Sequence, residues 1–320
     1  MIPETRIVLA PLAGGPSTPE LAAAVSNAGG LGFLGGAYLS AEQLREQIAA
    51  TRRLTSRPIG VNLFVLRPEP VDDAAVAAYA GELEPEARRL DAELGTPRFD
   101  DDGFDAKLEV VAEGGVEVVS FTFGRPDDAA LRRLQVSVWL TVTSAEEAAA
   151  AEGADAVVVQ GTEAGGHRGT WDDREDDTPL AELLASITNL PVIAAGGIAD
   201  REGVRAALDA GAAAVQVGTA FLLCPEAGTG EAYQRALVTR RETAVTRAFT
   251  GRRARGLANR FMRDHPDAPS AYPQIHHLTA PLRAAARAAR DADSFNLWAG
   301  TNVALAREEP AAAVVARLRP

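Results

Sequence analysis

The chain has 320 residues, 47% hydrophobic and 24% charged, the balance of a globular protein long enough to bury a large core. Its formal net charge of −12 leaves no basic stripe for nucleic acid, and its single cysteine, Cys224, excludes an internal disulfide framework and fits a cytoplasmic setting. The least polar long window, VRAALDAGAAAVQVGTAFLL, carries an arginine, an aspartate and two glycines, so no membrane span is expected; the N-terminus MIPETRIVLAPLAGG lacks the features of a signal peptide.

The first apolar run, IVLA (7–10), lacks polar alternation, as expected of a strand buried on both faces. Ser17-Thr18-Pro19-Glu20 then combines a capping-box spacing with an early proline, predicting a helix that stops at Gly29-Gly30. The second strand is LGFLG (31–35), and Ser40 to Gln43 repeats the capping-box spacing. The third, IGVNLF (59–64), carries Asn62. Residues 65–107 are longer than one crossover helix requires and predict a helical excursion over about 66–107. VEVVSF (116–121) and VSVWL (136–140) follow, and Thr143 to Glu146 again has the capping-box spacing. After a stop at Gly153 come DAVVVQ (155–160), PVIAA (191–195), a helix beginning at Asp200 and stopping at Gly211, and AAVQVG (213–218).

Strand, loop and helix repeated eight times predict a TIM (β/α)8 barrel; a doubly wound sheet tolerates the same units, but eight favour closure. Residues 226–294 read as a small, mainly helical lid, with TGEAYQRALVTR and APLRAAARAARDA its clearest pieces. The expected organisation is therefore a barrel over 1–225, a lid over 226–294 and a segment over 295–320 that returns to the barrel and ends in a helix.

Barrel active sites lie past the C-terminal ends of the strands. There, Gly196-Gly197 and Gly218-Thr219 offer backbone N–H groups to a phosphate, or form plain tight turns. QGTEAGGHRGT (160–170) places His167 after Gly165 and Gly166 at a strand end, where an imidazole can take and give protons near neutral pH. Glu163 either orients this loop or caps it. Asn62 and Gln160 present amides that suit a heterocycle or satisfy loop backbone. His265, His276 and His277 lack a regular metal spacing and read as structural or surface residues; no metal site is expected. Cys224 reads as a buried thiol. Tyr272 and Trp298 line a cavity or simply pack, and Lys107, the one lysine, receives no function.

LAPLAGGPSTPELAAAVSNAGGLGFLGGAY, GVNLF, VVSFTFG, VVQGTEAGGHRG, PVIAAGGIAD, VQVGTAFLLCPE and LWAG together resemble the nitronate monooxygenase family, formerly the 2-nitropropane dioxygenases. The resemblance covers nearly the whole chain. Its most specific piece, EAGGHRG, is similar to a loop of FMN-dependent enoyl-ACP reductases. It implies one non-covalent FMN beneath a helical substrate domain, and oxidation of alkyl nitronates, and of nitroalkanes, by O2 to a carbonyl compound and nitrite. It implies that His167 is the base toward the nitroalkane carbon or a partner of the nitronate. The FMN phosphate would meet Gly197, Gly218 and Thr219, and the ring would lie over Ala10, Pro11 and Leu12 with Asn62 and Gln160 at its polar edge. Gly165 and Gly166 would let the His167 loop approach the cofactor. Two positions depart from the family: Leu12 stands where methionine is frequent, and Thr301 replaces the glutamine of the closing motif and cannot present an amide. A homodimer is compatible with this resemblance, which does not fix the oligomeric state. An NAD(P)H-dependent enoyl-thioester or quinone reductase on the same scaffold, and a non-catalytic flavin- or phosphate-binding barrel, are the alternatives.

Overall fold

The eight apolar runs form eight parallel strands in the computed structural model, which describes residues 1–320. They are β1 (Ile7–Leu9), β2 (Gly32–Gly35), β3 (Ile59–Phe64), β4 (Val118–Thr122), β5 (Ser137–Val142), β6 (Ala156–Gln160), β8 (Val192–Ala195) and β9 (Ala214–Val217); the two-residue β7 (Gly166–His167) belongs to another sheet. The order is β1-β9-β8-β6-β5-β4-β3-β2, and a parallel bridge between Val8 and Leu31 joins the two edges. The sheet is thus a closed ring, which removes the edges an open doubly wound sheet would keep.

Apolar side chains on both faces of each strand explain the closure. Val8, Phe33, Val118, Trp139, Val158 and Ile193 fill the interior, while Ile7, Leu9, Leu34, Val61, Val119 and Leu140 pack outward against helices. Those helices are α1 (Pro19–Asn27), α2 (Ala41–Leu54), α4 (Phe104–Ala112), α5 (Asp128–Arg132), α6 (Ala145–Ala149), α7 (Leu180–Ser186) and α8 (Arg201–Asp209), with α3 (Asp73–Leu90) leaving the ring.

The start of α2 is a complete capping box: Gln43 N donates to Ser40 Oγ at 3.1 Å and Ser40 N to Gln43 Oε1 at 2.8 Å. Asp200 caps α8 through Gly203 N at 2.8 Å. Two other starts lie one residue later than the spacing predicts. Thr18 caps α1, because the Ser17 hydroxyl is used inside to accept from Leu12 N at 2.8 Å. Ser144 caps α6, because Thr143 donates both its N–H and its hydroxyl to Glu147. Ser40→Ala should cost about 1 kcal/mol, read as a lower urea midpoint with an unchanged slope.

The lid is built from two separated segments. After β9 come α9 (Glu231–Thr239), β10 (Thr243–Thr246), β11 (Ala254–Leu257), α10 (Arg260–Asp264) and α11 (Gln274–Ala288). Val76, Tyr79 and Leu83 of α3 pack with Phe249, Phe261 and Ile275 in one apolar cluster, so the excursion after β3 shares a core with the segment after β9. Within that excursion α3 is a lid element, whereas α4 is the crossover helix that leads to β4. The lid also contains a sheet absent from the sequence reading: β10, β11 and β7 pair antiparallel, with Ala254 opposite His167 and Arg255 opposite Gly166. TAVT and ARGL are too short to show a period-2 pattern, and their partner β7 has only two residues. The chain ends in α12 (Ala311–Leu318), which packs against α1 and α8 on the outside of the barrel. No helix is long and apolar enough to cross a membrane.

Candidate active site

Between the strand ends and the lid lies a cavity of about 550 Å³, within the size range of small-molecule and cofactor sites. Ala10, Pro11 and Leu12 line it from the β1 loop, and Asn62 and Gln160 from β3 and β6. Gly165, Gly166 and His167 face it from the loop after β6, and Gly196, Gly197, Gly218 and Thr219 from the turns after β8 and β9. Thr301 is the exception. It is exposed on the rim, outside the cavity lining. Gly300 N is tied to Thr219 Oγ1 at 2.9 Å and Thr301 N to Glu163 O at 3.1 Å, anchoring the backbone while the Thr301 side chain stays outside.

One end of the cavity presents free backbone donors. Gly196 and Gly197 have φ of +120° and +68°, which favours glycine. The N–H groups of Gly197, Ile198 and Gly218 have no acceptor in the protein. Thr219 accepts from Gly300 N, so its own hydroxyl hydrogen is free. Free N–H groups on these two neighbouring turns can serve as a nest for an anion.

The floor is polar. Asn62 donates its amide nitrogen to Ser120 O, Ser120 Oγ and Thr122 Oγ1 at 3.1, 2.9 and 3.0 Å, leaving Oδ1 as a free acceptor. On β9, Gln216 also lines the cavity, and its buried Oε1 has no partner. Gln216 is the residue that reading only the strand ends missed. The signal was present, since it is the one polar side chain inside an otherwise apolar strand. Gln160 plays a different part: its Nε2 donates to His167 O at 3.0 Å, and its Oε1 accepts from Gly169 N at 2.8 Å and Arg168 Nη1 at 3.2 Å. Of its two readings, satisfying loop backbone is the one the geometry realises.

The loop carrying His167 is fixed from several sides. Arg168, only 1% exposed, donates to Gln160 O at 3.1 Å and Gly161 O at 2.7 Å and faces Asp176 at 3.4 Å. Glu163 accepts from Leu180 N at 3.1 Å, so it caps α7. A Cβ on Gly165 would stand 2.5 Å from the backbone of Ala299 and Gly300, so only glycine lets these segments cross. The imidazole Nε2 of His167 lies 2.9 Å from Thr250 Oγ1. Phe123, Tyr272 and Trp298 surround it at ring-centroid distances of 5.9, 5.6 and 5.5 Å. Burial, reinforced by the positive charges of Arg252 and Arg283, pushes its pKa down to about 3. The ring is therefore neutral at pH 7.

The other histidines lie in or against the lid. His276 stacks on Tyr38 at 4.4 Å, and the Tyr38 hydroxyl meets that of Tyr272 at 3.3 Å, so His276 backs the wall of the site. His277 lies 2.6 Å from Asp100, and His265 packs on Phe261 and Tyr79. No group of three His, Cys, Asp or Glu is disposed to hold a metal. Cys224 is buried, with its thiol pushed up to about 12 by burial and then by Glu226. Lys107, also buried, pairs with Asp102 at 2.7 Å; Asp102 in turn accepts from Tyr38 N at 2.9 Å, an anchor for the tyrosine wall.

Free N–H groups on the turns after β8 and β9, free amide acceptors on the floor and a neutral imidazole in the lining make this mouth suited to a phosphorylated heteroaromatic cofactor. The class so defined is the (β/α)8-barrel flavoenzyme. Residues 1–320 match the family model described as nitronate monooxygenase, and the chain belongs to that family. It is 44% identical to the nitronate monooxygenase of Pseudomonas aeruginosa, over 98% of this chain and 94% of that one. The structure of nitroalkane oxidase from Streptomyces ansochromogenes superposes with a TM-score of 0.96 at 48% identity, covering 99% of this chain and 95% of the other. FabK from Thermotoga maritima superposes with a TM-score of 0.75 at 29% identity, covering 98% and 91%.

Proposed function

We propose that the cavity holds one FMN and that the enzyme uses O2 to oxidise alkyl nitronates to a carbonyl compound and nitrite, accepting nitroalkanes once His167 has removed their α-proton. The observation that carries this reading is the neutral imidazole of His167 facing a cavity with an amide floor and an N–H nest. Gly197, Gly218 and Thr219 bind the phosphate, and Gly196 sets the turn. Ala10, Pro11 and Leu12 support the ring, and Asn62 and Gln216 meet its polar edge. The buried Oε1 of Gln216, without a partner in the protein, offers the ring an acceptor. Bound FMN supplies the electron acceptor through which the substrate's electrons reach O2.

The side chains supply proton handling and positioning. His167 takes the α-proton and holds it on the imidazole. Phe123, Tyr272 and Trp298 keep water from the reacting carbon. Arg252 and Arg283, whose charges already disfavour a protonated His167, favour an anionic nitronate over its neutral acid.

Anaerobic mixing tests the reading directly. Ethylnitronate should bleach the flavin absorbance of the purified protein, and NADH or NADPH should not. Rapid bleaching by the nicotinamide with none by the nitronate would make the enzyme a reductase. Gln216→Leu should weaken FMN binding about tenfold, the effect of losing about 1.4 kcal/mol of hydrogen bonding. Flavin fluorescence on dilution measures it, with the circular dichroism of the apoprotein unchanged.

A further inference from the structure

We propose that Thr250 is a positioning residue that sets the tautomer of His167, holding the proton on Nε2 and presenting Nδ1 as the proton acceptor. This rests on the reading of His167 as the base. Thr250 is only 2% exposed, and its hydroxyl has two neighbours: His167 Nε2 at 2.9 Å and the carbonyl oxygen of Arg252 at 3.3 Å. A hydroxyl has one hydrogen. The Arg252 carbonyl receives no other donor from the protein, so that hydrogen goes to Arg252 O. An unmet buried carbonyl would cost about 1–3 kcal/mol. The Thr250 oxygen therefore accepts from His167 Nε2–H.

The lone pair is then on Nδ1, which has no hydrogen-bond partner in the protein, on a ring that lines the cavity. During proton removal the α C–H bond breaks, the proton joins Nδ1, and the electron pair of that bond becomes the nitronate. Nε2–H donates to Thr250 before and after the transfer, so the contact orients both forms of the ring. No carboxylate is within ion-pair distance of the ring. An uncharged hydroxyl can fix the tautomer without raising the basicity of His167 as an aspartate would. The contact joins two parts of the fold. His167 comes from the loop after β6, and Thr250 from the turn between β10 and β11.

The test compares Thr250→Val with Thr250→Ser in the FMN-loaded enzyme. Valine keeps the shape and removes the hydroxyl. It should lower kcat/KM for neutral nitroethane by about 10- to 100-fold, part of the range that general-base catalysis contributes. Turnover of pre-formed ethylnitronate should stay within about threefold, and serine should restore nitroethane turnover to within about threefold. Nitrogen-15 NMR of histidine-labelled wild-type holoenzyme, with His167 assigned by its loss in His167→Ala, should show the Nε2–H tautomer alone; Thr250→Val should show a mixture. An Nδ1–H tautomer in the wild type would overturn the proposal even if no variant folded. So would a Thr250→Val enzyme that keeps nitroethane turnover, or one that loses both substrates equally. If His167→Ala itself lost both substrates equally, the base reading would fail, an outcome distinct from failure of the Thr250 contact alone.

Discussion

His167→Ala should lower kcat/KM for a neutral nitroalkane by roughly 10³-fold, within the range that a positioned general base contributes. FMN content should be retained, because His167 donates nothing to the nest or the floor. A nitronate supplied already ionised needs no proton removed and should lose far less. The pH dependence sharpens the test. With the His167 pKa pushed down to about 3, the ring is already deprotonated across pH 5–8, so nitroalkane turnover should show no ionisation of this base in that range. The same depression has a cost in acid. As pH falls from the ordinary histidine value of 6.5 toward 3, the unfolded chain takes up a proton here that the folded chain refuses. His276, pushed down to about 2 by burial and then Arg283, acts with the same sign. Stability should therefore fall through that window as pH drops, and His167→Ala should be less acid-sensitive than the wild type. A nitroalkane profile that rises through pH 6.5 would show an ordinary surface-like imidazole instead.

Arg168→Met should destabilise the fold by about 3–5 kcal/mol, the usual effect of removing one partner of a buried ion pair. Methionine replaces much of the volume but none of the donors. It removes a donor from the carbonyls of Gln160 and Gly161 and leaves the Asp176 carboxylate, only 8% exposed on its side chain, without a cation and held by Thr178. Burial works against the guanidinium's charge and lowers its pKa, and Asp176 offsets part of that effect. Against a typical total stability of about 5–15 kcal/mol, the loss is large. Adding Asp176→Asn removes the orphaned charge and should recover part of it, a coupling that a double-mutant cycle measures. Loss of less than about 1 kcal/mol on the single change would mean that Arg168 is a spectator.

The barrel was legible because its strands are apolar on both faces and its helices start at plain caps. Asp200 and Ser40 mark their helices without ambiguity, whereas Ser17 and Thr143 mislead by one residue because their hydroxyls serve tertiary bonds no local pattern reveals. The glycine turns and His167 were legible as residues past strand ends. Gln216 was overlooked because it lies within its strand, one turn of the pleat below the rim. Gln160 was ambiguous because an amide at a strand end reads alike whether it faces a ligand or the neighbouring backbone. Thr250 and Arg168 could not be found locally. Thr250 is 83 positions from the ring it meets, and Arg168 looks like an ordinary surface arginine until the loop folds over it. The sheet joining β7 to the lid escaped for the same reason: its pairing is long-range and its strands are very short.

Oxygen uptake and nitrite release, followed together on the purified FMN-loaded protein with ethylnitronate and propionate 3-nitronate and no added nicotinamide, measure the central claim most directly. Catalytic O2 consumption accompanied by nitrite, and abolished when FMN is stripped and restored when it is returned, is the predicted result. A protein that retains FMN yet consumes no O2 and releases no nitrite with either nitronate would contradict it.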